Sequence, residues 1–283
     1  MNGMERKKYA LVTGGGRGIG EAIALRLGKE GYNVALTYRN SETGAREVQR
    51  KLRELGSETE IFRADTSDLV QLNAAFDEYE KSCEHLDLLV NNAGVTLSAS
   101  FLETTPELFD AVANTNLRGV YFMAQRAAKY MIKQGCEGSI INISSVQGSA
   151  NFNNHSVYGS VKAAVTKLTR HIALELSAFN IRVNALSPGM VNVGGWFNNP
   201  DNPEVRKHIK KHETVIPLGS WACPEQVAGI IAFLASDDAI YITGEEIIAD
   251  GGARLPVIMD TPAGWIPDLP DRAKSILIKQ REN

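Results

Sequence analysis

Short apolar runs with β character recur along the 283-residue chain, and each leads into a longer segment with helical spacing: YALVT, NVALTY, EIFRA, LDLLVN, SIINIS, IRVNALS and EEIIAD. This alternation constrains the fold more than any other feature, because strands that each feed a helix pair in parallel and need helices over both faces of their sheet. The pattern predicts a doubly wound α/β fold with a seven-stranded parallel sheet and helices on both faces. Helices are expected to begin near Gly18, Ser41, Asp68, Pro106, Ser156, Pro203 and Pro224, several of them on residues suited to helix N-termini. No linker rich in Pro, Gly or Ser precedes Asp250, so residues 1–252 read as one domain. Two stretches break the alternation. Residues 190–216, rich in Asn and Pro, are expected to form a lid over a ligand site, and residues 253–283 form a C-terminal extension.

With 43% apolar residues the chain can bury a large core. A formal charge of −3 and a pI near 6.0 argue against a nucleic-acid surface, which needs a clustered basic excess; small molecules are the expected partners. Cys83, Cys136 and Cys223 are few, odd in number and widely spaced, which suggests reduced buried thiols rather than a disulfide framework or zinc site. The start MNGMERKKYALVTGGG lacks the pattern of a signal peptide, and no run reaches transmembrane length. A cytoplasmic location without membrane partners is therefore expected.

The first strand runs into TGGGRGIG, residues 13–20, and then into the helical EAIALRLGKEG. Glycines at a strand-to-helix turn let the backbone approach a pyrophosphate, while the helix N-terminus supplies amides and a partial positive charge. This is a Rossmann-type dinucleotide site, assigned to Gly14, Gly16, Arg17, Gly18, Ile19 and Gly20. The second strand ends LTYRN, which places Tyr38 and Arg39 where an NAD site generally has a carboxylate; none follows until Glu42. Arg17 adds a second cation for a 2′-phosphate. The reading prefers NADP(H), with NAD(H) possible.

At the carboxyl ends of later strands stand NNAG (91–94) and Ser144–Ser145, and Asn116 falls in a helix although Asn is a poor helix former. Tyr158 and Lys162, four apart in SVYGSVKAAV, share one helix face. Taken in order, TGGGRGIG, ADTSD, NNAG, TNL, ISSV, YGSVK, SPG and ADGG make the chain resemble the short-chain dehydrogenase/reductase family over about residues 8–252. The resemblance is to the type that includes glucose dehydrogenases and 3-oxoacyl-acyl-carrier-protein reductases. It implies a catalytic tetrad of Asn116, Ser145, Tyr158 and Lys162. It also implies cofactor contacts from Asp65 at the adenine, Thr66, Asn92, Ala93 and Gly94 beside the nicotinamide ribose, Tyr158 and Lys162, and Pro188, Gly189 and Val191 near the nicotinamide. Relatives usually carry Thr or Ser shortly after the Pro-Gly pair, where this chain has Val193.

The chemistry implied is hydride transfer between a nicotinamide and a ketone or secondary alcohol. Tyr158 serves as acid and base, with its pKa lowered from near 10 by the Lys162 ammonium; Ser145 binds the substrate oxygen and Asn116 holds a water that reconnects Lys162 to solvent. Left open are a catalytically silent cofactor-binding regulator and an NAD-dependent sugar dehydrogenase. No metal is expected: in KHIKKHE, His208 and His212 have helical ligand spacing, but no carboxylate follows the first His and the lysines repel a cation. His155, Phe152, Trp196 and Phe197 are candidate pocket walls. Relatives of this kind commonly form tetramers, so a homotetramer or dimer is expected, with Leu255–Leu269 packed on its own or a neighbouring substrate cleft.

Overall fold

All four residues of β1 (Tyr9–Val12) are buried, and they divide between two cores. Tyr9 and Leu11 join one cluster, Ala10 and Val12 the other, because successive side chains point to opposite faces. A strand apolar on both sides is stable only inside a sheet covered on both faces. Strand β4 (Leu88–Asn91) repeats the division, with Leu89 in the first cluster and Leu88 and Val90 in the second. The other strands are β2 (Asn33–Tyr38), β3 (Ile61–Arg63), β5 (Ser139–Ile143), β6 (Arg182–Pro188) and β7 (Glu246–Ala249). All pair in parallel in the order β3-β2-β1-β4-β5-β6-β7. All seven predicted strands are present. The computed structural model describes residues 6–193 and 202–255, without the side chains of His208, Lys211 and His212.

Helices α1 (Gly18–Lys29), α2 (Glu42–Glu54) and α8 (Pro224–Ala235) cover one face through Ile23, Leu27, Val48, Leu52, Ile231 and Leu234. Helices α3 (Leu69–Ser82), α5 (Gly119–Gln134) and α6 (Ser156–Leu176) cover the other through Phe76, Tyr79, Met123, Met131 and Ala173. Asp68 caps α3 by accepting from Val70 N, and Thr105 caps α4 (Pro106–Ala113) by accepting from Leu108 N, which satisfies orphan amides of the first turn. Helix α7 spans Pro203–Glu213.

Two expectations need correction. The seven predicted starts omit α5, which has no capping residue because α4 continues into it through a π-helical segment, Asn114–Arg118. Asn116 thus lies in that π segment, and α5 begins on Gly119, where a Cβ would come within 2.5 Å of Thr66 O. Nor are all three thiols buried. Cys83 and Cys136 are, and burial pushes Cys83 up to about 12, but Cys223 is exposed at the surface N-cap of α8.

Chain order reverses between β1, flanked by β2, and β4, which leads to β5; ligands of doubly wound sheets bind beyond the carboxyl ends at this switch. Buried amides tie those ends together. Asn91 Nδ2 donates to Asn142 Oδ1 at 2.9 Å, and Asn142 Nδ2 donates to Thr169 Oγ1 on α6 at 2.9 Å. Asn142→Leu deprives buried Asn91 of its short hydrogen bond, so the protein should lose about 1–3 kcal/mol. Urea unfolding measures this; an unchanged midpoint would show that the amide chain adds nothing to stability.

Candidate active site

The glycine turn lies against β2: Gly14 N donates to Thr37 Oγ1 at 3.3 Å and Gly15 N to Thr37 O at 3.0 Å. Gly14 and Gly18 have φ of +67° and +57°, a region that disfavours side chains. A Cβ on Gly16 would lie 3.1 Å from Ala45 N and Ser41 O. The backbone therefore forms the floor of a cleft of about 790 Å³. Arg17, at the N-cap of α1, is extended and makes no side-chain cap; among the described residues no side chain bonds the first amides of α1, which suit a phosphate.

Gly14, Gly16, Arg17, Gly18, Ile19, Gly20, Tyr38, Arg39, Asp65, Thr66, Asn92, Ala93 and Gly94, all predicted cofactor contacts, line this one cleft. Arg39 Nη1 stands 3.4 Å from Asp65 Oδ2 beyond the ends of β2 and β3. Burial alone would raise the Asp65 pKa, but two hydrogen bonds from Ser67 and the Arg39 charge outweigh it and hold the carboxyl below its ordinary value. Among the described residues Arg17 forms no ion pair. The geometry and donors fit a dinucleotide.

Thr13 Oγ1 joins the floor to the opposite wall by accepting from Asn92 N at 3.0 Å and Ala93 N at 2.9 Å. Asn92 Nδ2 returns the link to Thr13 O at 2.9 Å and Gly14 O at 3.2 Å. Asn116, fully buried, explains its place in the helix: Oδ1 accepts from Val95 N at 2.9 Å and Nδ2 donates to Val95 O at 2.7 Å. The side-chain amide acts as a strand partner for the loop after NNAG. A Cβ on Gly94 would press on that Oδ1 at 2.9 Å.

Ser145 follows β5, and Tyr158 and Lys162 stand on α6. Lys162 Nζ donates to Ile143 O at 2.8 Å and lies 5.7 Å from the Tyr158 ring centroid. Burial lowers the Lys162 pKa to about 8. Burial also raises the Tyr158 pKa, against the lowering influence of the nearby Thr96 and Ser145 side chains. This corrects the expectation of a phenol pulled below 10 by the ammonium: in the free protein desolvation penalises both charged forms. Ser145 Oγ accepts from Gln147 N at 3.2 Å. Of the candidate tetrad, Ser145 thus stands beyond β5, Tyr158 and Lys162 on α6, and Asn116 in the π segment bonded to the loop after β4.

Of the predicted cofactor contacts, Tyr158, Lys162, Pro188, Gly189 and Val191 do not line the cleft. Pro188 closes β6 opposite Ala249, Gly189 N donates to Ala249 O at 2.8 Å, and Val191 bridges to Ala222. The chain then returns over the glycine turn, where Val193 joins the cleft wall. His155 Nδ1 bonds Gln147 Oε1 at 2.8 Å, and its ring meets Tyr158 edge-on at 6.0 Å; Phe152, exposed, lies 6.5 Å from His155. Trp196, Phe197, the His208 and His212 side chains and the tail beyond Leu255 lie outside the described residues. Among the described residues no cluster of three or more His, Cys, Asp or Glu side chains suits a metal, and no helix is long and apolar enough to cross a membrane. Thr13, Thr37, Thr96 and Gln147 were not singled out by the sequence; only Thr13, inside the glycine motif, carried a local signal.

A family model described as enoyl-(acyl carrier protein) reductase matches residues 14–254. The chain is 38% identical over 248 residues to 3beta-hydroxysteroid dehydrogenase 1 of Eggerthella lenta, covering 88% of this chain and 94% of that one. Over 252 residues it is 37% identical to the 3-oxoacyl-[acyl-carrier-protein] reductase FabG of Staphylococcus aureus, covering 89% and 100%. Among solved structures, YwfH, an NADPH-dependent reductase involved in bacilysin biosynthesis, superposes with a TM-score of 0.82 at 27% identity, covering 89% of this chain and 100% of that one. A match that takes in the glycine turn, the cleft walls and the Tyr158–Lys162 helix places the chain in the short-chain dehydrogenase/reductase family, oxidoreductases acting on CH–OH and C=O groups.

Proposed function

We propose that the chain is an NADP(H)-dependent oxidoreductase that interconverts a ketone and a secondary alcohol, with Tyr158 as the acid and base. The carrying observation is a half-buried phenol, biased by desolvation toward its protonated form, whose ring lies 5.7 Å from Lys162 Nζ in a chain whose glycine turn floors a dinucleotide-sized cleft. The bound nicotinamide supplies or accepts the hydride. In reduction Tyr158 gives its proton to the developing alkoxide, and Ser145 donates a hydrogen bond to the same oxygen; oxidation reverses the proton transfer. Lys162, anchored on Ile143 O, orients the ribose hydroxyls. The Asn116 side chain is engaged by Val95, so its assigned water is held through the main chain.

The preference for NADP(H) rests on the cations at the adenosine end. Arg17 and Arg39 line it, and the nearest carboxylate after β2, Glu42, is taken up by Arg46. A 2′-phosphate competes with Asp65 for Arg39. The NADPH dependence of YwfH supports the same reading. The proposal extends to one catalytic domain over residues 1–252, a lid near 190–216, contacts from Pro188, Gly189 and Val191, and a cytoplasmic location in keeping with three free thiols. It also includes a homodimer or homotetramer, supported by the exposed apolar side chains Phe101, Leu102 and Phe109.

Tyr158→Phe keeps the ring and removes the transferred proton. Nucleotide affinity, read by fluorescence titration, should stay within a few fold, while turnover on a panel of ketones and alcohols should fall by about 10²–10⁴-fold. Near-normal turnover would rule out Tyr158 as the acid.

Tyr38→Asp combined with Arg39→Ala adds repulsion and removes attraction, so the ratio of kcat/KM for NADP(H) over NAD(H) should drop and invert. A wild-type protein that already favours NAD(H) contradicts the cofactor assignment.

Lys162 has a folded pKa of about 8 against 10.5 for the free side chain. Below 8 the free protein carries the full cost of the buried ammonium. Between the two values the unfolded chain binds more protons, so this group makes stability rise with pH through that window. Lys162→Met should flatten that rise, read as urea midpoints on either side of pH 8; an unaltered slope would contradict the burial.

A further inference from the structure

Strand β7 is apolar at Ile247, Ile248 and Ala249 but begins with Glu246, whose carboxylate turns inward. Glu246 Oε1 accepts from Ser187 Oγ on β6 at 2.6 Å and from Thr166 Oγ1 on α6 at 3.3 Å. Thr166 Oγ1 lies 3.2 Å from Ser144 Oγ, at the end of β5; because Ser144 Oγ donates its own proton to the carbonyl oxygen of Lys162 at 2.9 Å, the single Thr166 proton is shared between Glu246 Oε1 and Ser144 Oγ. Ser144, Thr166 and Ser187 are all buried. Four elements thus meet in one chain of side-chain hydrogen bonds that ends on the backbone of Lys162.

We propose that Glu246 is a positioning residue for the Tyr158–Lys162 pair, acting through Thr166 and Ser144; as a claim about catalysis this rests on the function proposed above. Lys162 is held to the end of β5 at two points, its carbonyl by Ser144 Oγ and its Nζ by Ile143 O. The next residue of that strand end is Ser145. A slide of α6 along β5 therefore changes the distances from Tyr158 and Lys162 to Ser145 together. Glu246 resists the slide because a carboxylate accepts stronger hydrogen bonds than a neutral oxygen, and it grips α6 and β6 with the same oxygen. Through Ser187 it also holds β6 at the residue before Pro188 and Gly189. Glu246 makes no hydrogen bond to the Tyr158 hydroxyl, Ser145 or Lys162 Nζ, which separates its role from that of a catalytic residue.

The test compares Glu246→Gln, Glu246→Val, Thr166→Val and the Thr166→Val, Glu246→Val double variant. Glu246→Val and Thr166→Val should each lower kcat by about ten- to hundredfold, the scale set by misplacing reacting groups by about 1 Å, with smaller changes in KM. The double variant should be no worse than the more damaged single variant, because both cut one chain. Glu246→Gln keeps an acceptor and should restore most of the rate. In the nucleotide-free protein, amide hydrogen exchange across residues 144–166 should quicken in Glu246→Val and stay near wild type in Glu246→Gln. Losses that multiply in the double variant, equal damage from Gln and Val, or unchanged exchange would each overturn the proposal. If the wild-type protein turns over no carbonyl or alcohol, the functional reading fails, while the exchange comparison still decides whether Glu246 positions α6.

Discussion

The central strands are filled on both faces, and everything else in the molecule follows from that. With Leu11 and Leu89 packed to one side and Val12 and Val90 to the other, neither face of the sheet has room for a ligand. Backbone polar groups are satisfied along the ladders and become available only where strands end. The chemistry is therefore pushed to the carboxyl edge. There Thr13, Asn91, Asn92, Ser144 and Ser145 succeed the apolar runs, and the reversal between β1 and β4 opens the cleft.

At that edge the polar groups are organised by one another as much as by the core. The Thr13 hydroxyl ties the glycine turn to Asn92 and Ala93, and Asn116 serves as a surrogate strand for Val95. Each is a buried polar group whose lone-pair and proton needs are met locally, which makes it rigidifying where an unmet one would be costly. The π segment fits the same account. It is a local departure from α geometry, a feature frequent at functional sites, and it carries Asn116 to the loop it must bond.

What was legible in the sequence was what is decided locally. The seven strands announced themselves by short apolar runs, and the glycine turn by a motif in which Gly14 and Gly18 meet a backbone requirement. Helix α5 was not legible as a separate start, because its beginning is defined by the approach of Gly119 to Thr66 and not by a cap. Asn116 was conspicuous as a poor helix former, yet its reason lies in Val95, a partner found only in three dimensions. The Arg39–Asp65 pair joins residues 26 apart, and the Glu246 chain joins β7 to α6; no spacing rule connects either. Val193 was noted as a departure from the pattern of relatives, and its position over the glycine turn gives that departure a place in the cleft wall.

The electrostatics of Tyr158 and Lys162 then take a form that neither residue type suggests alone. Spacing on one helix face invites the idea that the ammonium sharpens the phenol, but in the free protein burial acts on both in the neutral direction, raising one pKa and lowering the other to about 8. A site whose phenol is held protonated and whose lysine has its pKa lowered to about 8 carries little fixed charge of its own. On the function proposed above, its charge would arise when anionic groups arrive: phosphates at the α1 amides and Arg17, and an alkoxide forming between Ser145 and Tyr158. An ammonium on Lys162 is then stabilised by the negative charge beside it, and the phenol is easier to ionise next to that ammonium. On that reading proton transfer from Tyr158 is favoured once the ligands bind, and the cause is the same desolvation that raises the Tyr158 pKa and lowers that of Lys162.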